Sequence, residues 1–189
     1  SFDNTDELQS FFARLNYTLN DKYLFTATMR ADGSSRFGPE NQYGYFPSGA
    51  FAWKMNEEDF VGENVSTLKL RLSAGITGNQ DGLGYGNFVA RQRFSGLTVQ
   101  QNLEINANGT AIVATDRPDL KWESSFNLNA GLDFGFNNDR LSGSIDVYRT
   151  ETTDVLLQTP PAAPAVDPFQ FQNVDASIIN QGIEFALAY

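Results

Sequence analysis

Along most of this chain, apolar and polar residues alternate with a period of two, over stretches of ten residues or more. From Ser10 to Leu19, the residues Phe11, Ala13, Leu15, Tyr17 and Leu19 form one row. Arg14, Asn16 and Thr18 lie in the other row, with Ser10 and Phe12. Asn20-Asp21-Lys22 reads as a short turn. Tyr23–Asp32 then repeats the pattern, with Tyr23, Phe25, Ala27, Met29 and Ala31 against Leu24, Thr26, Thr28, Arg30 and Asp32. Successive side chains of a strand point to opposite faces, so this is a long hairpin with one apolar and one polar face. The same alternation covers Tyr45–Lys54, Leu68–Thr77, Trp122–Phe136, Leu141–Tyr148 and Ile183–Tyr189, about seven strands in all.

The connectors alternate as well. Asn20–Lys22 and Asn137–Arg140 are short and Asn56–Thr67 is intermediate, whereas Gly33–Tyr43 is longer, and Gly78–Lys121 and Thr150–Ile178 are very long. Short turns on one rim and long loops on the other describe an outer-membrane barrel, with the short turns periplasmic. Ten residues at about 3.4 Å rise, tilted about 40°, span roughly 26 Å, close to the apolar band of such barrels. Tyr17, Tyr23, Trp53, Phe134 and Phe136 gather near the short turns, as an interfacial aromatic girdle does. A hydropathy scan finds no membrane helix, but alternating strands cancel in any window average. A soluble β-sandwich explains the alternation equally well, and the strand length and connector parity less well.

Composition excludes several function classes. The 189 residues include no His and no Cys, which removes the usual zinc sites, disulfides and Ser–His or Cys–His nucleophiles. A formal net charge of −10 argues against nucleic-acid binding. Ser1-Phe2-Asp3-Asn4 has neither the basic residues nor the apolar core of a signal peptide, so Ser1 is expected to follow a removed leader or to lie inside a longer protein.

Five blocks carry a resemblance. Arg30-Ala31-Asp32-Gly33-Ser34-Ser35-Arg36-Phe37-Gly38, followed by Tyr45-Phe46-Pro47-Ser48 and Trp53, resembles the barrel signature of SusC/RagA-type TonB-dependent transporters. Leu68-Lys69-Leu70-Arg71 through Gly75-Ile76-Thr77-Gly78-Asn79-Gln80 is similar to their next strand and loop entry. Leu120-Lys121-Trp122-Glu123 with Asn129-Ala130-Gly131-Leu132-Asp133-Phe134 resembles a further block, and so do Asn173-Val174 and Asn180-Gln181-Gly182-Ile183-Glu184. The blocks stand in family order. The resemblance implies an all-β, antiparallel transmembrane barrel segment in the bacterial outer membrane, bounded by lipid, with residues 1–189 forming part of one barrel domain. It also implies a plug domain and a TonB contact outside this chain, a SusD-like surface lipoprotein as partner, and an oligosaccharide or peptide as cargo. No catalysis, cofactor or metal is implied.

Particular residues allow two readings each. Asp32–Gly38, with two glycines at a strand-to-loop junction, reads as a structural turn rather than a ligand loop, with Arg36 paired to a carboxylate. Asp116 and Asp119, beside Arg117 and Pro118, fall short of the six to eight oxygens of a calcium site and read as a solvated loop. Glu57-Glu58-Asp59 reads as a solvated periplasmic turn. Arg14, Arg30, Lys69, Arg71, Glu123, Asp133 and Asp146 share the lumen row, where charges line a wet interior or touch the plug. Tyr85, Phe88 and Phe94 of the long loop either stack on cargo or pack the loop onto itself.

Three functions compete: active import, a passive porin, and a soluble carbohydrate-binding or adhesin sandwich. In the barrel reading, Phe11, Leu15, Phe25, Leu70, Leu128 and Leu132 face lipid, and Arg14, Arg30, Arg71 and Asn127 face the lumen. Arginine at Leu70 or Leu128 is then costly where the site lies near the bilayer midplane, and at Asn129 much cheaper. About seven strands cannot close a plugged barrel of about 22, so the sheet is expected to be an open wall with two unpaired edges.

Overall fold

The computed structural model describes residues 7–62, 64–83, 93–95, 111–114, 117–160 and 170–189. In chain order the strands are β1 (Leu8–Leu19), β2 (Tyr23–Ser34), β3 (Tyr43–Lys54), β4 (Val65–Asn79), β5 (Arg93–Ser95), β6 (Ala111–Ala114), β7 (Glu123–Phe136), β8 (Leu141–Thr153), β9 (Val155–Thr159), β10 (Gln170–Val174) and β11 (Ile178–Ala188). Seven of them form one antiparallel sheet in the order β1-β2-β3-β4-β7-β8-β11. Two small hairpins, β5–β6 and β9–β10, stand in the connectors after β4 and β8. The sheet is a meander with β1 and β11 at opposite edges, an open wall as expected of a barrel section.

Residue chemistry sets the turns. Asn20 and Asp21 have φ of 51° and 54°, and Asn137, Asn138 and Asp139 have φ of 53°, 57° and 58°. Asn and Asp tolerate this left-handed region, so these strands reverse within three or four residues. Near the second turn the pairing runs from Val65↔Phe136 to Thr67↔Gly135, leaving Ser66 as a bulge. The Ser66 hydroxyl donates to Asp139 Oδ1 at 2.8 Å and accepts the Asp139 N–H at 2.9 Å, which ties bulge to turn.

Register places one residue type on each face. Leu19, Tyr23, Trp53, Leu70, Leu132, Ile145 and Phe185 lie directly opposite one another across all seven strands. Phe11, Leu15, Phe25 and Leu128 share that outer face and are exposed, Leu15 at 68%. Among the described residues no second sheet covers this face, which rules out the sandwich. Arg14, Arg30, Arg71 and Asn127 occupy the opposite face, as alternation requires.

The buried core lies at the long-loop rim rather than between layers. Phe37, Phe46, Leu83, Leu120, Trp122 and Leu156 form one cluster, with Ile76 and Phe171 packed against it. It fills a gap in the wall: β3 pairs with β4 only from Ser48↔Gly75 downward, beside Pro47, which has no N–H to give. Above that point Phe46 occupies the space, and a Cβ at Gly78 would collide with its ring.

Some expected boundaries shift. Trp122 belongs not to the lipid-facing row but to this core, 8% exposed, with its indole N–H donating to Gln42 O at 3.3 Å. The indole finds its acceptor in the loop before β3, so the residue turns in before β7 begins. The connector expected from Thr150 starts later, because β8 continues to Thr153, and the β9–β10 hairpin takes up part of the span before β11. Likewise β4 runs on to Asn79.

Position along the strand sets the cost of a charge on the outer face. Each residue climbs about 2.6 Å, so Leu132 stands about 10 Å above the short-turn rim at Phe136, and Leu128 about 21 Å. Leu132→Arg is expected to cost about 2–4 kcal/mol and Leu128→Arg about 0–1 kcal/mol, with Asn129→Arg on the lumen face well below the first. Refolding the full-length protein into lipid vesicles measures all three. Equal costs would show that the two faces do not meet lipid and water.

Candidate functional site

The lumen face is built from polar rows that cross the wall. Arg14, Thr28, Ser48, Gly75, Asn127, Thr150 and Asn180 lie opposite one another in register. Short hydroxyls and amides bond across the strands. Thr150 Oγ1 donates to Asn127 Oδ1 at 2.9 Å, Asn127 Nδ2 to Thr77 Oγ1 at 3.3 Å, and Thr26 Oγ1 to Asn16 Oδ1 at 2.9 Å. Arg14 Nε donates to the Thr28 hydroxyl at 3.2 Å, a neutral partner. These rows line a concavity of 710 Å³ that includes Arg14, Arg30, Ser48, Thr77, Asn127 and Asn129.

Lower on the same face, Arg71 joins three strands. Its guanidinium donates to both Asp133 oxygens at 2.8 and 2.9 Å and reaches Asp146 at 3.0 Å. It lies so close over Gly131 that a Cβ there would stand 2.7 Å from Nη2. Arg30 instead grips Asp32, Nε to carboxylate at 2.6 and 2.8 Å, with Asp32 only 7% exposed.

At the mouth, Glu123 takes Asn79 Nδ2 at 3.0 Å on one oxygen and the Leu156 N–H at 3.2 Å on the other. Lys121 Nζ pairs with Asp154 at 2.8 Å, and the Asn173 amide bridges Lys121 O and Asp154 O, both at 2.8 Å. These contacts join the connector before β7 to the one after β8.

The signature block is occupied by structural contacts. Gly33 is crossed by the Tyr43 ring, 2.6 Å from where a Cβ would stand. Ser34, 1% exposed, accepts the Arg36 N–H through its hydroxyl at 3.3 Å. Ser35 exchanges two hydrogen bonds with the Glu7 backbone, at 3.0 and 2.9 Å, which lengthens the β1–β2 ladder. Phe37 packs on Trp122, ring centres 4.9 Å apart. A Cβ at Gly38 would stand 3.3 Å from the Pro118 backbone. Tyr85, Phe88 and Asp116 lie outside the described residues. Phe94 is in β5, its backbone opposite Ile112. Asp119 is exposed, and among the described residues no group of three or more His, Cys, Asp or Glu is placed to hold a metal ion.

At the opposite rim the acidic turn is more than a solvated loop. Glu58 accepts Lys22 Nζ at 3.0 Å, Tyr23 OH at 2.9 Å and Trp53 Nε1 at 3.2 Å. Tyr23 stacks on Trp53 with ring centres 6.0 Å apart, and Phe60 meets Trp53 edge-on. One carboxylate thus receives the polar ends of the girdle aromatics, whose rings stay on the lipid side. The Lys22 ammonium first, then the Tyr23 hydroxyl and Trp53 indole, hold the Glu58 carboxyl below its ordinary range. Only the register brings Lys22, Tyr23 and Trp53 together around Glu58; no local pattern in the sequence marks it.

Comparisons with known proteins agree with this geometry. The family described as TonB dependent receptor-like, beta-barrel, matches residues 1–189. TonB-dependent receptor SusC of Bacteroides thetaiotaomicron is 43% identical over 188 residues, covering 95% of this chain and 18% of the relative. TonB-dependent receptor P3 of Formosa agariphila is 36% identical over 189 residues, 99% of this chain and 18% of that protein. Among solved structures, the RagAB peptide importer in its closed-closed state superposes with a TM-score of 0.79 at 31% identity, over 95% of this chain and 19% of that one. The chain therefore spans under a fifth of the length of these relatives.

Lowering the Glu58 pKa makes the short-turn rim sensitive to acid. The stabilisation is complete above the ordinary carboxylate pKa of about 4.3 and is lost as pH falls through the lowered value. Glu58→Gln lacks the charge at every pH. The stability gap between wild type and this variant, read from lipid refolding of the full-length protein between pH 7 and pH 3, should therefore shrink in acid. A gap that stays constant would contradict the charge-based role.

Proposed function

Because this chain belongs to the TonB-dependent receptor-like β-barrel family, and forms a lipid-facing outer-membrane wall, we propose that it is one section of an active importer of nutrient oligomers. The plug and the TonB contact lie elsewhere in the longer polypeptide. Cargo of the oligosaccharide or peptide class passes the polar lumen face, under a SusD-like surface lipoprotein. The observation that carries this reading is the SusC-type resemblance together with a wet wall of Asn, Thr, Ser and Arg side chains facing away from lipid. Hydroxyls and amides bonded to one another resemble the hydration that an oligosaccharide or peptide brings with it, without gripping it. Asp32–Gly38 serves as a structural turn in this reading, and Tyr85, Phe88 and Phe94 are candidates for stacking on cargo. The family is one of transporters and receptors rather than enzymes.

A passive porin shares the barrel physics but draws no energy from the inner membrane. Uptake of an oligomeric nutrient by the native host, measured with and without TonB, separates the two. Active import predicts uptake falling to background without TonB, with the protein still present in the outer membrane. Uptake that survives the loss of TonB would point to the porin.

A further inference from the structure

The outer face carries one interruption that lipid contact alone does not explain. Register places Arg149 between Leu128 and Gln181, and Glu151 between Phe126 and Ile179, all on the lipid-facing side. Directly below them Leu72, Ala130, Val147 and Ile183 lie opposite one another, an unbroken apolar row. A groove of 550 Å³ opens here, lined on the outer side by Leu128, Ala130, Val147 and Ile183, with Arg149 and Gln181 at its head. Arg149 Nη2 holds Glu151 at 3.1 Å, while the two side chains stay 48% and 37% exposed.

Depth decides what meets this groove. Arg149 is eight residues up β8 from Leu141, about 21 Å above the short-turn rim and about 4 Å below the end of the apolar band of about 25 Å, a distance its long side chain spans. Its floor therefore touches acyl chains, and its head lies at the level of headgroups on the long-loop side. A guanidinium has five donors in a fork that matches phosphate, and Glu151 engages only one edge of it. An apolar channel topped by a forked cation and an amide complements an anionic lipid in both parts. A soluble anion has no use for the floor, and a lipid without phosphate leaves the fork unmatched.

We propose that this groove seats a phosphorylated acyl lipid of the outer leaflet, with Arg149 contacting the phosphate, Gln181 beside it, and one acyl chain on Ala130, Val147 and Ile183. Glu151 holds one edge of the guanidinium and competes with the phosphate for it.

The test uses the full-length protein in detergent, with lipid A as probe and dephosphorylated lipid A as control, bound lipid being counted by native mass spectrometry. Wild type should retain lipid A, and Arg149→Ala should retain about tenfold less. Arg149→Lys, which keeps the charge but not the fork, should fall between them. Glu151→Gln should retain at least as much as wild type, and Arg14→Ala on the lumen face should match it. Heat-modifiable migration confirms that each variant is folded, and Arg149→Lys serves if Arg149→Ala is not. Equal retention by wild type and both Arg149 variants, or equal retention of the dephosphorylated lipid, would overturn the proposal. So would a dimer that becomes monomeric in Arg149→Ala with its lipid count unchanged, which would make the groove a contact between two barrels.

Discussion

Backbone hydrogen bonding governs this molecule more than side-chain packing does. In hydrocarbon an unpaired N–H or C=O has no water to turn to, and each costs several kcal/mol. A meander answers this strand by strand, because each inner strand of the β1-β2-β3-β4-β7-β8-β11 sheet is bonded on both sides. The requirement passes to the two edges, β1 and β11, which lie too far apart along the sheet to satisfy each other. The wall is therefore stable in a membrane only within a larger closed barrel. Relatives about five times as long, one of them with the same wall superposed on it, fit that demand.

The same constraint moves the hydrophobic core. On the lipid side, apolar side chains gain little from packing on one another, since acyl chains are as apolar as they are. On the lumen side, water rules out an apolar layer. Only at the long-loop rim, above the membrane, does burial from water again favour folding, and there Phe37, Phe46, Leu83, Leu120, Trp122 and Leu156 gather. Each contributes about 1.5–3 kcal/mol on burial. Phe37 comes from the loop after β2, Leu83 and Trp122 from the connector after β4, and Leu156 from the hairpin after β8. One cluster thus fastens three connectors that sequence distance keeps apart.

Legibility in the sequence divides along the same line. Period-two alternation is a local property, so the strands, their faces and the outward position of Leu15 or Leu128 are legible. The turns are legible because Asn and Asp mark left-handed backbone. Trp122 is not, because it lies on the apolar beat of β7 and only the fold shows Gln42 waiting for its indole. Glu58 misleads for a related reason: an acidic run in a turn looks solvated until register brings Lys22, Tyr23 and Trp53 to it. The early halt of β3–β4 pairing has one visible sign, Pro47, whose meaning depends on knowing which strand stands beside it. Residues that act through distant partners stay hidden from periodicity.

Two arginines on the lumen face show how such a wall divides its work. Arg71 is held by two carboxylates and needs Gly131 beneath it, so its charge is spent inside the sheet and it braces β4, β7 and β8 against shear. Exposed ion pairs contribute little stability one by one; a guanidinium shared by two strands besides its own fixes geometry instead. Among the described residues Arg14 meets only the hydroxyl of Thr28, and it leaves its charge over the concavity. The row of Arg71 is accordingly matched ion to ion, while the row of Arg14 bonds hydroxyl to amide and leaves its guanidinium with a neutral partner. Along the lumen face the rows thus pass from a guanidinium spent on carboxylates to neutral hydroxyl and amide pairs, with the Arg14 charge turned toward water.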